Sequence, residues 1–214
     1  MTYRPYYYDD RAERQQQERL DAVRQVLVNA GARSVLDLGC GAGELLARLI
    51  EERQFERVLG LDVDPAELAA ARELLGRELN DMRLELLCGS FLTPDGRLTE
   101  FDAAVLMETI EHIDPHKLGV LEQTIFGHFR SATIIVTTPN REYNVLYGLA
   151  PAELRHPDHR FEWTRAKFRN WAQGAAQRHG YRVRLSGIGE THPQVGSTTQ
   201  MAVFCRSGSI KPSL

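Results

Sequence analysis

Two carboxylates and an imidazole stand close together in Met107-Glu108-Thr109-Ile110-Glu111-His112-Ile113-Asp114-Pro115, at positions i, i+3 and i+4. One helical turn at this spacing puts Glu108, Glu111 and His112 on a single face. Carboxylate oxygen with imidazole nitrogen suits Mg²⁺, Mn²⁺ or Fe²⁺ better than a thiolate-loving metal. The plainer alternative is that one acid caps the turn and His112 bonds within the fold, with no metal at all. His156-Pro157-Asp158-His159-Arg160-Phe161-Glu162-Trp163-Thr164 adds two imidazoles from a distant part of the chain. A different chemistry is suggested by Asp37-Leu38-Gly39-Cys40-Gly41-Ala42-Gly43, where glycines lead from an apolar run into a helical pattern. Such a turn lets a ligand approach bare backbone at a helix N-terminus. Asp37 just before it would repel a pyrophosphate but could hold a cation or an ammonium. A second acid, Asp62, closes the next apolar run, where a carboxylate typically grips a ribose diol.

These residues need a scaffold that brings them to one edge. Apolar residues at helical spacing predict a helix over Asp10–Ala30, closed by Gly31. Strands follow at Ser34–Leu38, Arg57–Asp62, Leu84–Cys88, Phe101–Met107 and Thr133–Thr137. Helices are expected at Glu44–Glu51, from Pro65, and at Pro115–Phe129 and Thr164–His179. Two late strands, Tyr181–Ser186 and Gln200–Cys205, are joined by a polar loop over Gly187–Thr199 and could form a hairpin. The rhythm predicts a single α/β domain over residues 1–214, a mostly parallel seven-stranded sheet with helices on both faces. Ligands bind such sheets off the carboxyl ends of the strands. Pro139–Trp163, the longest irregular stretch, is expected to be functional.

The 214 residues fit one such domain. Hydrophobic residues at 43%, charged residues at 26% and a mean hydropathy of −0.35 exclude a disordered chain and a membrane protein. No apolar run approaches the ~20 residues of a membrane helix. The opening MTYRPYYYDD lacks the apolar core of a signal peptide, and Cys40, Cys88 and Cys205 read as reduced thiols, so a cytoplasmic protein is expected. The net charge of −3 is unevenly spread: residues 1–128 carry 14 basic and 24 acidic groups, residues 129–214 carry 12 and 5. A basic half can meet a polyanion while the whole stays acidic.

The Asp37–Gly43 segment resembles the first motif, D-x-G-x-G-x-G, of class I S-adenosylmethionine-dependent methyltransferases, whose fold is Rossmann-like. That resemblance implies that Asp37, Gly39, Gly41 and Gly43 shape the methionine and ribose end of the cofactor. It implies that Asp62 holds the ribose hydroxyls, and that Ser90 and Phe91 contact the adenine. The E-x-x-E-H segment alone also resembles ubiquinone-biosynthesis O-methyltransferases. Together with T-T-P-N-x-E-Y-N at Thr137–Asn144 and D-H-R-F-E-W-T at Asp158–Thr164, it is similar to the RNA 3′-terminal ribose 2′-O-methyltransferases of the HEN family.

The HEN resemblance implies that Glu108, Glu111, His112 and His159 hold one divalent cation, Mn²⁺ or Mg²⁺, and form the catalytic centre. His156 competes for the fourth place but sits in the less family-like setting, and is assigned to the surface or to RNA contact. The implied substrate is an RNA 3′ end with free 2′,3′-hydroxyls, in repair or end protection. In bacterial members of this kind the methyltransferase is usually the C-terminal part of a longer protein working with a polynucleotide kinase-phosphatase. Arg155, Arg160, Arg165, Lys167 and Arg169, then Arg178, Arg182 and Arg184, are candidates for RNA phosphates. Tyr6, Tyr7 and Tyr8 beside Arg4 could stack on bases or dock on the sheet. Trp163 and Phe168 are expected in the core. Two rival readings are a metal-assisted methyltransferase of catechol-like small molecules and a non-enzymatic RNA-binding domain with a vestigial cofactor fold. Neither accounts for all of these segments.

Overall fold

Apolar runs of five to seven residues, too short for helices and buried on both sides, become the central strands. The computed structural model describes residues 6–206, with side chains from residue 11 onward. The aromatic arm expected at Arg4 and Tyr6–Tyr8 lies outside the described side chains. The strands are β1 (Ser34–Leu38), β2 (Arg57–Asp62), β3 (Leu84–Cys88), β4 (Ala103–Met107), β5 (Thr133–Pro139), β6 (Tyr181–His192) and β7 (Gly196–Arg206). They form one seven-stranded sheet in the order β3-β2-β1-β4-β5-β7-β6. The pairs from β3 to β5 are parallel, and β7 runs antiparallel to both β5 and β6. Among the described residues, no helix is long and apolar enough to cross a membrane.

Each inner strand feeds two cores. Leu36 and Leu38 of β1 face one side, with Phe126 and Phe204, while Val35 faces the other, with Leu46 and Leu27. The second side is covered by α1 (Tyr6–Asn29), α2 (Glu44–Ile50) and α3 (Pro65–Leu75). The first is covered by α4 (Leu118–Glu122) and α5 (Arg165–His179). Full burial of each such side chain contributes about 1.5–3 kcal/mol. Trp163 and Phe168 lie in the first core, as expected.

Two expectations need correction. The segment Pro115–Phe129 is not one α-helix: a 3₁₀ turn precedes α4, and Gln123–Phe129 winds as a wider π-helix that keeps Ile125, Phe126 and Phe129 buried. The polar loop expected over Gly187–Thr199 is mostly strand. Its polarity misled because those side chains satisfy backbone groups inside the sheet. Thr198 Oγ1 donates to the Ile188 carbonyl (3.1 Å), and Thr191 Oγ1 donates to that of Gly189 (3.4 Å). Pro139–Trp163 also contains a 3₁₀ helix at Arg141–Tyr147.

Candidate active site

The strand order reverses between β1 and β4, and both halves of the site sit at the carboxyl ends of those strands and their neighbours. At the end of β1, Gly39, Gly41 and Gly43 all take left-handed backbone, with φ of 80°, 51° and 82°. Gly39 is required for a second reason: a Cβ there would lie 2.6 Å from Thr109 Cγ2. The Gly41 N–H donates to Asp62 Oδ2, and the Asp64 N–H donates to Oδ1, both at 2.9 Å. Asp62 is thereby locked beneath the glycine turn, with lone pairs to spare. A cleft of about 260 Å³ opens there, lined by Gly39, Gly41, Glu44, Met107 and Glu108 among others.

Burial, then the nearby charge of Asp62, pushes the Asp37 carboxyl up to about 7. Burial likewise pushes the Cys40 thiol up, which fits a packing residue and not a nucleophile. Asp37, Asp62, Ser90 and Phe91 do not themselves line the cleft. Ser90 Oγ accepts the Leu92 N–H at 3.2 Å, and Phe91 packs in the core.

The second half is not the helical turn that the spacing predicts. Glu108 has a φ of 51°, and only Ile110–His112 coil, as a short 3₁₀ turn. The left-handed residue sends Glu108 away from the next two: its Oε1 accepts from Thr137 Oγ1 (2.9 Å), and its Oε2 lies 3.8 Å from Arg19 of α1. Glu111 turns inward and is fully buried. Thr138 Oγ1 donates to its Oε2 at 3.0 Å, and its Oε1 has no partner. The loop bearing His159 is pinned to this turn by the Arg160 N–H, which donates to the Glu111 carbonyl at 2.7 Å.

As a result Glu111, His112 and His159 each offer a ligand atom within 4.8 Å of the others, and Glu108 stands outside that group. His156 is half exposed, its ring 6.1 Å from that of His112. Burial, and then the charge of Glu108, raises the Glu111 carboxyl well above the usual range. Burial and the neighbouring imidazoles His159 and His156 lower His112.

Several residues that carried no assigned role hold this half together. Glu162, 3% exposed, accepts from Asn144 and the Arg155 backbone, and its Oε1 lies 2.7 Å from His159 Nδ1. Burial pushes its carboxyl up, but those bonds outweigh it and hold it below the usual range. Arg155 is a further correction. It spends three of its five guanidinium N–H groups on Asn144, Thr198 and Asn140, so it serves first as a strut between the loop and the sheet. Arg165 is paired with Glu142, and Arg178 with Glu122. Arg160, Lys167, Arg169, Arg182 and Arg184 remain exposed.

Residues 35–130 match the family described as methyltransferase domain. The crystallised methyltransferase domain of bacterial CtHen1 is 41% identical and superposes with a TM-score of 0.83, covering 91% of this chain and 100% of that one. The chain belongs to the Hen1 methyltransferase family. Its fold is accordingly that of a class I S-adenosylmethionine-dependent methyltransferase. The small RNA 2′-O-methyltransferase of Mus musculus is 33% identical over 92% of this chain and 53% of its own length. That of Arabidopsis thaliana is 31% identical over 90% of this chain and 22% of its own. The chain thus spans about half, or less, of the length of these two curated relatives.

Proposed function

We propose that this chain methylates the 2′-hydroxyl of the 3′-terminal ribose of RNA, with S-adenosylmethionine in the glycine cleft and one divalent cation on Glu111, His112 and His159, joined by Glu108. The observation that carries the reading is the gathering of buried Glu111 with the more open His112 and His159, in the turn that follows Glu108, which itself lines the cleft. The relatives named small RNA 2′-O-methyltransferase support the substrate class.

The donor set fits a cation. A fully buried carboxylate oxygen without a partner is costly, and a second acid nearby adds repulsion. Mixed carboxylate and imidazole donors suit Mn²⁺ somewhat better than Mg²⁺. When bound, the cation supplies a Lewis acid that makes a ribose hydroxyl easier to ionise, and the cofactor supplies an activated methyl group.

The chain's own groups do the rest. Asp62 offers its remaining lone pairs to the cofactor ribose, and Asp37 places negative charge under the glycine turn. His112, held neutral at neutral pH, has a lone pair for a ligand bond or for the O2′ proton. Arg160 and Arg169 are exposed cations for upstream phosphates. An internal ribose has its O3′ esterified, so a site that requires two free hydroxyls accepts only an end.

Transfer of labelled methyl tests this on RNAs ending in 2′,3′-OH, 2′-deoxy, 3′-deoxy or 3′-phosphate, each with and without Mn²⁺. Methylation of the 2′,3′-OH end alone, dependent on the metal, is expected. Full activity in EDTA, or equal methylation of internal riboses, overturns the reading.

A further inference from the structure

We propose that Glu162 is the positioning residue of the cation site: it fixes His159 as the Nδ1–H tautomer and thereby presents Nε2 to the cation. The inference rests on the metal reading above. Glu162 sits three residues beyond His159, buried beneath the loop. Its Oε1 lies 2.7 Å from His159 Nδ1 and accepts the Arg155 backbone N–H at 2.7 Å. Its Oε2 accepts from Asn144 Nδ2 at 2.6 Å.

The direction of each bond follows from groups that can only donate. Arg155 Nε lies 2.6 Å from the Asn144 side chain and must donate, so Asn144 Oδ1 faces it and the Asn144 NH₂ faces Glu162. The Arg155 backbone N–H also only donates. A carboxylate surrounded by these donors accepts from His159 as well, which puts the proton on Nδ1. A neutral imidazole then has its one lone pair on Nε2, the nitrogen left for a metal.

The chain of support continues to the sheet. The Arg155 guanidinium donates to the Thr198 carbonyl of β7 (2.9 Å) and to the Asn140 carbonyl at the end of β5. Rigid strand ends therefore hold Arg155 and Asn144, these hold Glu162, and Glu162 holds the ring. Partners of this kind typically change metal affinity 10- to 100-fold.

The decisive comparison is between Glu162→Gln and the double variant N144D/E162Q. Glutamine at 162 must either set its NH₂ against that of Asn144 or turn it toward the Arg155 N–H and His159; both arrangements put donors face to face, and the second leaves His159 Nδ1 no acceptor. Aspartate at 144 accepts from both that NH₂ and Arg155 Nε, so the pair restores every bond and leaves an oxygen for His159. Two readouts apply to the full chain: the histidine ¹⁵N spectrum of the metal-free protein at alkaline pH, and Mn²⁺ binding followed by the electron-spin signal of the free ion. Wild type is expected to show the Nδ1–H pattern at His159. Glu162→Gln is expected to lose it and to bind Mn²⁺ about 10- to 100-fold more weakly, with S-adenosylmethionine affinity unchanged. The double variant is expected to recover the tautomer and most of the affinity.

Wild-type tautomer and Mn²⁺ affinity in a folded Glu162→Gln protein overturn the proposal. So does a folded double variant that recovers neither; if Glu162→Gln fails to fold, the double variant decides. Wild-type protein that shows Nδ1–H at His159 yet binds no Mn²⁺ overturns the metal reading instead, so the two failures are distinct.

Discussion

The two halves of the site are built from different materials. The half proposed for the cofactor is backbone: three left-handed glycines within five residues, and Asp62 receiving two main-chain N–H groups. The half proposed to hold a cation is side chain on side chain, drawn from the end of β4, from Thr137 and Thr138 of β5, from Asn144, and from the loop of Arg155 to Glu162. A backbone-built site tolerates change in side chains that do not touch it, because its geometry is stored in φ and ψ. A site built from buried polar side chains depends on every partner, since each lost bond leaves a desolvated group unpaired. Damage to one half should therefore spare the other.

The sharpest separation is expected at Glu111 and His159. Either Glu111→Gln or His159→Ala should lower methyl transfer to a 2′,3′-OH RNA end by about 10³-fold or more, the scale of a lost Lewis-acid contribution. Cofactor affinity, read by calorimetry, should stay within about 0.5 kcal/mol. Glu111→Gln should also melt at a higher temperature than wild type without metal, because it removes a buried charge that burial and Glu108 both oppose. Retained transfer, or loss of cofactor binding in a folded variant, breaks the division between the halves.

Gly39→Ala probes a place where the halves touch. The new methyl meets Thr109 Cγ2 at 2.6 Å while the backbone stays left-handed, so a stability loss of about 2–4 kcal/mol is expected. Thr109→Ser in the same chain should recover the packing part and leave the backbone part, which chemical denaturation of the single and double variants can separate. Full recovery would mean that the turn itself carries no strain.

The same contrast explains what could be read in advance. β1, β2, the glycine turn and Asp62 are legible because each is a local pattern: an apolar run, a φ-permissive residue, an acid at a strand end. The strand order and the two-sided core follow from the alternation of strand and helix. At the proposed cation site the residue types stand in the sequence, but their geometry could not be read from it. The i, i+3, i+4 spacing assumes helical φ at Glu108, and the structure has +51° there. Arg155 looked like a phosphate contact because its carbonyl and amide partners are far away in sequence. Glu162 stood in a quoted motif with no role, since only the folded loop shows that all its neighbours donate. The strand over Gly187–Thr199 was hidden because polar side chains there satisfy backbone groups.

At the cofactor half, Asp62→Ala should weaken S-adenosylmethionine binding by about 1.5–3 kcal/mol, the worth of hydrogen bonds to a charged group. It also frees the Gly41 and Asp64 N–H groups, so the turn should loosen. Calorimetry together with amide exchange at Gly41 tests both effects. Faster exchange at Gly41 with unchanged affinity would leave Asp62 a turn-holding residue and remove it from ribose binding.

The smallest effect expected is the pH dependence that Asp37 confers on the same half. Its carboxyl sits at about 7 in the folded chain, raised by burial and by Asp62, against about 3.9 in an unfolded one. Between those values the folded state holds a proton that the unfolded state has released. The contribution of Asp37 to stability therefore falls as pH rises from about 4 to about 7, and is flat above. Cofactor binding runs the other way. A cationic ligand favours the ionised carboxylate, so binding below pH 7 expels the proton. Affinity should rise roughly tenfold between about pH 6 and pH 7.5, since each pH unit below a pKa cuts the ionised fraction about tenfold. Calorimetry in two buffers of different ionisation enthalpy should register proton release at the lower pH. Asp37→Asn should abolish both the slope and the release, and should raise the stability of the free protein near neutral pH. A wild-type affinity that is level across this range would show that Asp37 stays protonated with cofactor bound, shaping the turn as a neutral hydrogen-bonding group instead of a charge.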